Sequence, residues 1–178
     1  MKRLSALIVT ALWAAAPAWA ALDVGEKAPD FTATALLDGK PFQFSLASSL
    51  SKGPVVLYFY PAAFSVGCSI EAHEFAESVD QFKALGATVI GVSSDDVDTL
   101  AKFSKQACQG KFPVAADVDG RVIKSYDAAM ETRPEYANRI SYVITPNGTV
   151  AYNYMSLNPF KHVEKTLAAL KAWQAAKK

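Results

Sequence analysis

Side chains that bind metals or form disulfides are scarce in this chain, which has two cysteines and two histidines in 178 residues. Cys68 and Cys108 can form at most one intramolecular disulfide. The spacing of these cysteines from His73 and His162 matches no usual zinc pattern, because a second close pair of ligands is lacking. Glycine-rich phosphate loops and dinucleotide-binding fingerprints are also missing. The sequence therefore predicts no metal, haem or flavin cofactor.

The chain also lacks an excess of charge of either sign. It carries 18 lysines and arginines against 17 aspartates and glutamates, a formal net charge of +1 at pH 7. Nucleic-acid-binding domains concentrate positive charge on one face. The even balance predicts no nucleic-acid partner.

The N-terminal segment has no charged residue between Leu4 and Ala20. This apolar run follows Lys2 and Arg3 and closes on Ala18-Trp19-Ala20, the small-x-small pattern of a signal-peptide cleavage site. We predict a signal peptide over residues 1–20. The alternative is an uncleaved anchor, because the run is nearly long enough to span a bilayer.

Residues 21–178 would then form the mature protein, with one acidic residue in excess. A chain of about 158 residues fits one domain with a single sizeable core. Export is the expected fate, to the periplasm in a bacterium, with no stable membrane association after the signal is removed. Disulfides can form and persist there.

Strands and helices alternate along the mature chain, which predicts an α/β sheet with helices on both faces. Asp38-Gly39 separates two short alternating runs and predicts an N-terminal β-hairpin. The run 54–60 is continuously apolar, as in a central strand covered on both faces. Helices are predicted from Cys68 to about Leu85 and from a Ser93/Asp96 cap to about Cys108. Strands are predicted at 87–93 and 112–116, followed by a hairpin of strands 139–145 and 149–154. A terminal helix is predicted to begin at Asn158-Pro159, with Phe160 on its apolar side.

Cys68 lies directly after the central strand, at the start of an amphipathic helix. A helix N-terminus has unpaired N–H groups and the positive end of the macrodipole, which favour the nucleophilic thiolate. Lowering the pKa of a cysteine from about 8.5 to about 6 takes roughly 3.4 kcal/mol, whereas a helix terminus supplies about 0.3–1 kcal/mol. A reactive Cys68 therefore needs a cation as well. The apolar stripe of the helix extends back to Cys68 and predicts a partly exposed sulfur that faces the core.

Arg139 and Glu71 are the candidates for that electrostatic support. Arg139 begins a strongly apolar strand, and Glu71 lies one helical turn after Cys68 on the same face. Charged groups at the edge of a core need partners. We predict that Arg139 bridges Cys68 and Glu71. The alternative is a structural ion pair that never contacts the sulfur.

The segment Pro61-x-x-x-Ser65-x-x-Cys68 resembles the peroxidatic motif of the peroxiredoxins, where a Pro, a Thr or Ser and the attacking Cys have this spacing. The resemblance continues through Glu71, Phe112-Pro113 and Arg139, and it is strongest to the bacterioferritin-comigratory type. It implies a thioredoxin-like fold. The catalytic residues implied are Cys68, Ser65, Pro61, Arg139 and Glu71.

Ser65 and Pro61 would shape the loop before the helix. The Ser65 hydroxyl can donate a hydrogen bond to the sulfur or to a peroxide oxygen, and Pro61 fixes the entry of the loop. A turn serine without a catalytic role is the alternative for Ser65.

The activity implied is reduction of hydrogen peroxide or organic hydroperoxides through a sulfenic acid at Cys68, followed by a disulfide that a thioredoxin-like protein reduces. Cys108 is predicted to be the resolving cysteine. It lies at a helix end, where the dipole disfavours a thiolate and Gly110 allows fraying. A buried inert thiol and a permanent disulfide with Cys68 are the alternatives. The other common resolving position in the family, five residues after the first cysteine, is His73 here.

Two further functions remain open, and the oligomeric state is predicted to be a monomer or a weak dimer. A thiol-disulfide oxidoreductase would need a close dithiol such as Cys-x-x-Cys. The residue three positions after Cys68 is Glu71, which argues against that function. A non-enzymatic exported domain with a static Cys68–Cys108 disulfide is the other alternative.

Overall fold

Nine strands and five α-helices alternate along residues 21–177, which are the residues that the computed structural model describes. The predicted signal peptide lies outside them. The strands are β1 (Thr32–Leu37), β2 (Lys40–Ser45), β3 (Val55–Phe59), β4 (Thr88–Ser93), β5 (Val114–Ala116), β6 (Ala129–Met130), β7 (Arg133–Ala137), β8 (Ile140–Ile144) and β9 (Val150–Met155). The helices are α1 (Leu46–Leu50), α2 (Val66–Ala84), α3 (Val97–Gln106), α4 (Arg121–Ser125) and α5 (His162–Ala175), the last preceded by a 3-10 turn (Pro159–Lys161).

A mixed seven-stranded sheet holds these elements in the order β2-β1-β5-β4-β3-β8-β9, and β6 pairs separately with β7. The central strand β3 is buried along its whole length and pairs parallel with β4 and antiparallel with β8. The predicted hairpin of β1 and β2 turns at Asp38 and Gly39, whose φ angles of 48° and 71° lie in the left-handed region. The predicted fold class is confirmed.

The alternation of side chains along β3 divides the core between the two faces of the sheet. Val56 and Tyr58 pack on the face covered by α2, α3 and α5, which also holds both cysteines. Val55, Leu57 and Phe59 pack on the other face, with residues of the shorter helices α1 and α4. Within residues 21–177, no helix is both long and apolar enough to cross a bilayer.

Several local predictions were wrong at the level of single residues. Asp96, not Ser93, caps α3 by accepting from the Thr99 N–H at 2.7 Å, and Ser93 bonds to Asp95 instead. Phe160 is 58% exposed and therefore does not belong to the apolar side of the terminal helix. The sequence analysis also missed the short elements α1, α4, β6 and β7, because segments of two to five residues carry no readable periodicity.

Candidate active site

Ser65 is the N-cap of α2. The helix begins at Val66, two residues before the predicted start at Cys68. The backbone of Ser65 is extended, and its hydroxyl oxygen accepts from the Cys68 N–H at 3.4 Å. The Ser65 hydroxyl donates to the Ala62 carbonyl at 3.0 Å, so its proton does not go to the sulfur as predicted. A hydrogen bond from Ser65 to a bound peroxide stays a prediction.

The loop between β3 and α2 is held by polar contacts and carries one strained residue. Pro61 is the second residue after β3, and the Ala63 N–H donates to the Asp95 carboxylate at 2.7 Å. Phe64 has a φ of 62°, a left-handed conformation that is costly for an aromatic residue. Its ring packs edge-on against Phe103, with centroids 5.3 Å apart. The loop before Cys68 is therefore held by the hydrogen bond to Asp95 and by the packing of Phe64 on Phe103.

Arg139 contacts the Cys68 sulfur in the first turn of α2. Its Nη2 donates to Sγ at 3.3 Å, and the sulfur is almost completely buried, at 1% exposure. The prediction of a partly exposed Cys68 sulfur was therefore wrong. Gly67 makes this approach possible, because a Cβ at that position would lie 3.0 Å from the Arg139 Nη2. The geometry supplies the cation that a helix N-terminus alone does not provide.

The Arg139 Nη1 donates a hydrogen bond to Oε2 of the buried Glu71 side chain. Burial raises the pKa of Glu71 to about 8, although the Arg139 charge and hydrogen bond act in the opposite direction. Burial would lower the pKa of Arg139, but the charges of Glu71 and Cys68 raise it overall, so the guanidinium stays charged. The structure thus brings Cys68, Arg139 and Glu71 together as the sequence suggested, while their catalytic roles stay predictions.

His162 and Ser141 complete this buried group, and neither was predicted from the sequence to belong to the site. The His162 Nδ1 lies 2.8 Å from Ser141 Oγ and 3.5 Å from Glu71 Oε1. Its Nε2 lies 2.9 Å from the Ser156 carbonyl. Burial lowers the pKa of His162 to about 4. Its position at the start of a helix, shortly after the last strand, was the one available signal.

Cys108 lies two residues after the end of α3 and is fully buried. Its backbone N–H donates to the Phe103 carbonyl at 3.2 Å. Burial raises the pKa of the Cys108 thiol well above its ordinary value. Both cysteines are free thiols in this structure. Cys108 therefore shares the core with Cys68 and lies just beyond the end of α3, and its role as the resolving cysteine stays a prediction.

An open groove of about 570 Å³ lies between the start of α2 and the end of α3. It is lined by Ser69 and Ala107, which are the chain neighbours of Cys68 and Cys108, and by the rings of Phe64, His73 and Phe160. His73 is exposed, with Nδ1 2.9 Å from the Gln109 amide nitrogen. The groove therefore lies beside the first turns of α2, next to the residue that follows Cys68.

Comparisons with known proteins agree with this geometry. The AhpC/TSA family profile matches residues 24–153. The chain is 38% identical over 159 residues to a chloroplastic peroxiredoxin Q of Arabidopsis thaliana, covering 86% of this chain and 69% of that protein. It is 37% identical over 152 residues to a chloroplastic peroxiredoxin Q of Oryza sativa subsp. japonica, covering 83% of this chain and 66% of that protein.

Among solved structures, peroxidoxin BcpB of Mycobacterium tuberculosis is 30% identical and superposes with a TM-score of 0.75, covering 84% of this chain and 96% of that chain. The resemblance found in the motif around Cys68 is thus confirmed over most of the sequence. The chain belongs to the AhpC/TSA family, the peroxiredoxins.

Proposed function

We propose that this protein is a thiol peroxidase that reduces hydroperoxides with Cys68 as the attacking nucleophile. The observation that carries the proposal is the contact of 3.3 Å between Arg139 Nη2 and Cys68 Sγ in the first turn of α2. A fixed cation and a helix N-terminus both favour the thiolate. The family and the peroxiredoxin Q relatives support the same activity.

The first chemical step oxidises the Cys68 sulfur. The thiolate attacks one peroxide oxygen, the S–O bond forms, the O–O bond breaks, and the departing oxygen takes up a proton to give water or an alcohol. Arg139 is placed to stabilise the charge that develops on the departing oxygen. Cys68 is left as a sulfenic acid.

The second step is resolution by Cys108. Attack of this thiol on the Cys68 sulfenic acid forms an S–S bond and releases water, so both sulfurs end in a disulfide. Both thiols lie on the same face of the sheet, and Cys108 is the other cysteine of the sequence, so it is the one candidate for an intramolecular disulfide. A thioredoxin-like dithiol protein would then reduce the disulfide by exchange.

Peroxide consumption coupled to a thioredoxin system tests the proposal directly. The purified protein should consume peroxide in proportion to the reductant added. Cys68→Ser should abolish turnover, while Cys108→Ser should consume one equivalent of peroxide and then stall. Non-reducing mass mapping after one equivalent identifies the partner of Cys68. A correctly folded protein that consumes no peroxide contradicts the proposal, and a normal turnover of Cys108→Ser excludes Cys108 as the resolving residue.

We also propose that the protein is exported by the signal peptide over residues 1–20. The support is the charged start, the apolar run and the small-x-small end of that segment. Expression of the full chain in a bacterium, followed by intact mass measurement of the periplasmic fraction, should show a product that begins at Ala21. A full-length mass in the membrane fraction would show an uncleaved anchor instead.

A further inference from the structure

The buried site around Cys68 contains one permanent cation and three groups that exchange protons. Arg139 is the cation, and Cys68, Glu71 and His162 are the others. All four are at most 5% exposed. A buried site of this kind is most stable when its charges sum to zero. When the charge of the Cys68 sulfur changes, the number of protons bound by Glu71 and His162 therefore has to change as well.

The hydrogen bonds of His162 restrict where those protons can be. The Ser156 carbonyl only accepts, so the His162 Nε2 carries a hydrogen. In a neutral imidazole, Nδ1 is then a lone pair that accepts from the Ser141 hydroxyl. That lone pair lies 3.5 Å from Glu71 Oε1, which has no hydrogen-bond partner among the described residues. One additional proton shared between Oε1 and Nδ1 would give Oε1 the hydrogen-bond partner that it lacks.

We propose that Glu71 and His162 hold one shared proton while Cys68 is a thiolate, and release it when Cys68 is oxidised. The inference rests on the proposed peroxidase function. With the proton in place, the Arg139 charge balances the thiolate and the Glu71–His162 pair is neutral. Once the sulfur becomes a neutral sulfenic acid, Arg139 needs another anion. Glu71, already paired with its guanidinium, becomes that anion by losing the proton.

The electrostatic environment agrees with this proton count. Burial raises the pKa of Glu71 to about 8 and lowers that of His162 to about 4, so the pair holds one proton across neutral pH, with Glu71 as its main carrier. The Arg139 charge further lowers the pKa of His162. The titratable and charged groups that face the pair are Arg139 on the β8 side, Cys68 on α2, Tyr58 on β3 and Tyr154 on β9.

The released proton is the one that the reaction consumes. Attack of a thiolate on a hydroperoxide forms the S–O bond, breaks the O–O bond and leaves an alkoxide or hydroxide. The sulfur is oxidised, the peroxide is reduced, and the departing oxygen requires one proton to become an alcohol or water. The Glu71–His162 pair supplies that proton in net balance, so the protein takes none from the solvent.

Proton stoichiometry tests the proposal. Reduced Cys108→Ser protein is mixed with one equivalent of hydrogen peroxide in weakly buffered solution near neutral pH. A pH indicator reports protons, and the ultraviolet absorbance of the thiolate reports its loss. We expect that close to zero protons are taken up from the solution per thiolate lost. In the double variant Cys108→Ser/Glu71→Gln, we expect uptake of one proton per thiolate lost. Glu77→Gln, on an exposed position of the same helix, is the matched control and should behave like the parent.

Infrared difference spectra give a second readout that a purely structural role would not change. Oxidation should remove the carbonyl band of a protonated carboxyl group. The band should be missing in Glu71→Gln, shifted in His162→Leu, and unchanged in His73→Gln, the variant of the other histidine. Uptake of one proton per thiolate by the parent, or the lack of a protonated carboxyl band, overturns the proposal even if the variants do not fold. A protein that loses no thiolate with peroxide instead refutes the peroxidase function itself.

Discussion

Replacement of Glu71 by glutamine should change how the stability of the protein depends on pH. The folded pKa of Glu71 is about 8, against an ordinary value of 4.5, because its carboxyl group is buried. A carboxyl group whose pKa is raised by folding binds a proton more tightly in the folded state. Its contribution to stability is therefore fully present below pH 4.5 and is lost as the pH rises through about 8. A glutamine at this position does not titrate and would make no such contribution.

The expected size follows from the linkage between proton binding and folding. Between the two pKa values the folded state holds one more proton than the unfolded state, which changes the free energy of unfolding by about 1.4 kcal/mol per pH unit. From about pH 5.5 to about pH 7.5, the stability of the wild type relative to Glu71→Gln should fall by about 2.7 kcal/mol.

Urea unfolding of the reduced proteins, followed by circular dichroism at several pH values, measures the two curves. Glu77→Gln serves as the control, because the Glu77 carboxylate is exposed and its pKa is lowered by hydrogen bonds from Gln109 and Lys111. Its curve should stay parallel to that of the wild type in this range. A Glu71→Gln curve that is also parallel would refute the reasoning, because Glu71 would then be ionised in the folded state throughout.

Two further predictions concern the hydroxyl groups of two buried tyrosines and of Ser65. The Tyr58 hydroxyl is buried without a partner among the described residues, whereas the Tyr142 hydroxyl donates to the Tyr126 carbonyl at 2.9 Å. Tyr58→Phe should therefore stabilise the protein by about 1 kcal/mol and Tyr142→Phe should destabilise it by about the same amount. Thermal unfolding measures both variants, and unfolding temperatures that shift in the same direction contradict the prediction. Ser65→Ala should cost about 1 kcal/mol through loss of the α2 cap and slow the reaction of Cys68 with peroxide, while Ser65→Thr should restore both in urea unfolding and stopped-flow assays.

The long elements could be predicted from the sequence because each carries its own pattern. The apolar run of β3 and the stripe of α2 are local signals, and they fix where Cys68 lies relative to the sheet. The pairing of Arg139 with Glu71 was predictable for a different reason. A charged residue at the head of a buried strand must find an opposite charge, and Glu71 on the inner face of α2 was available.

The parts of the site that were missed depend on contacts between elements far apart in the chain. His162 is buried because α5 packs on α2, β8 and β9, and its Nε2 contact requires the carbonyl of Ser156, the residue after β9. The sequence around His162 indicates only that it begins a helix after the last strand, which does not identify these contacts. The full burial of Cys108 likewise depends on core residues from several elements, which the sequence of α3 alone does not identify.

The contrast between the two thiols accounts for the order of the proposed steps. Cys68 has a guanidinium and a helix N-terminus beside it, so it can react as a thiolate. Burial raises the pKa of Cys108, which keeps that sulfur protonated and slow toward peroxide. The same proton is useful in the second step, because the hydroxide that leaves the Cys68 sulfenic acid must become water. A buried neutral thiol therefore suits resolution: it is protected from peroxide, and it brings the proton that disulfide formation consumes.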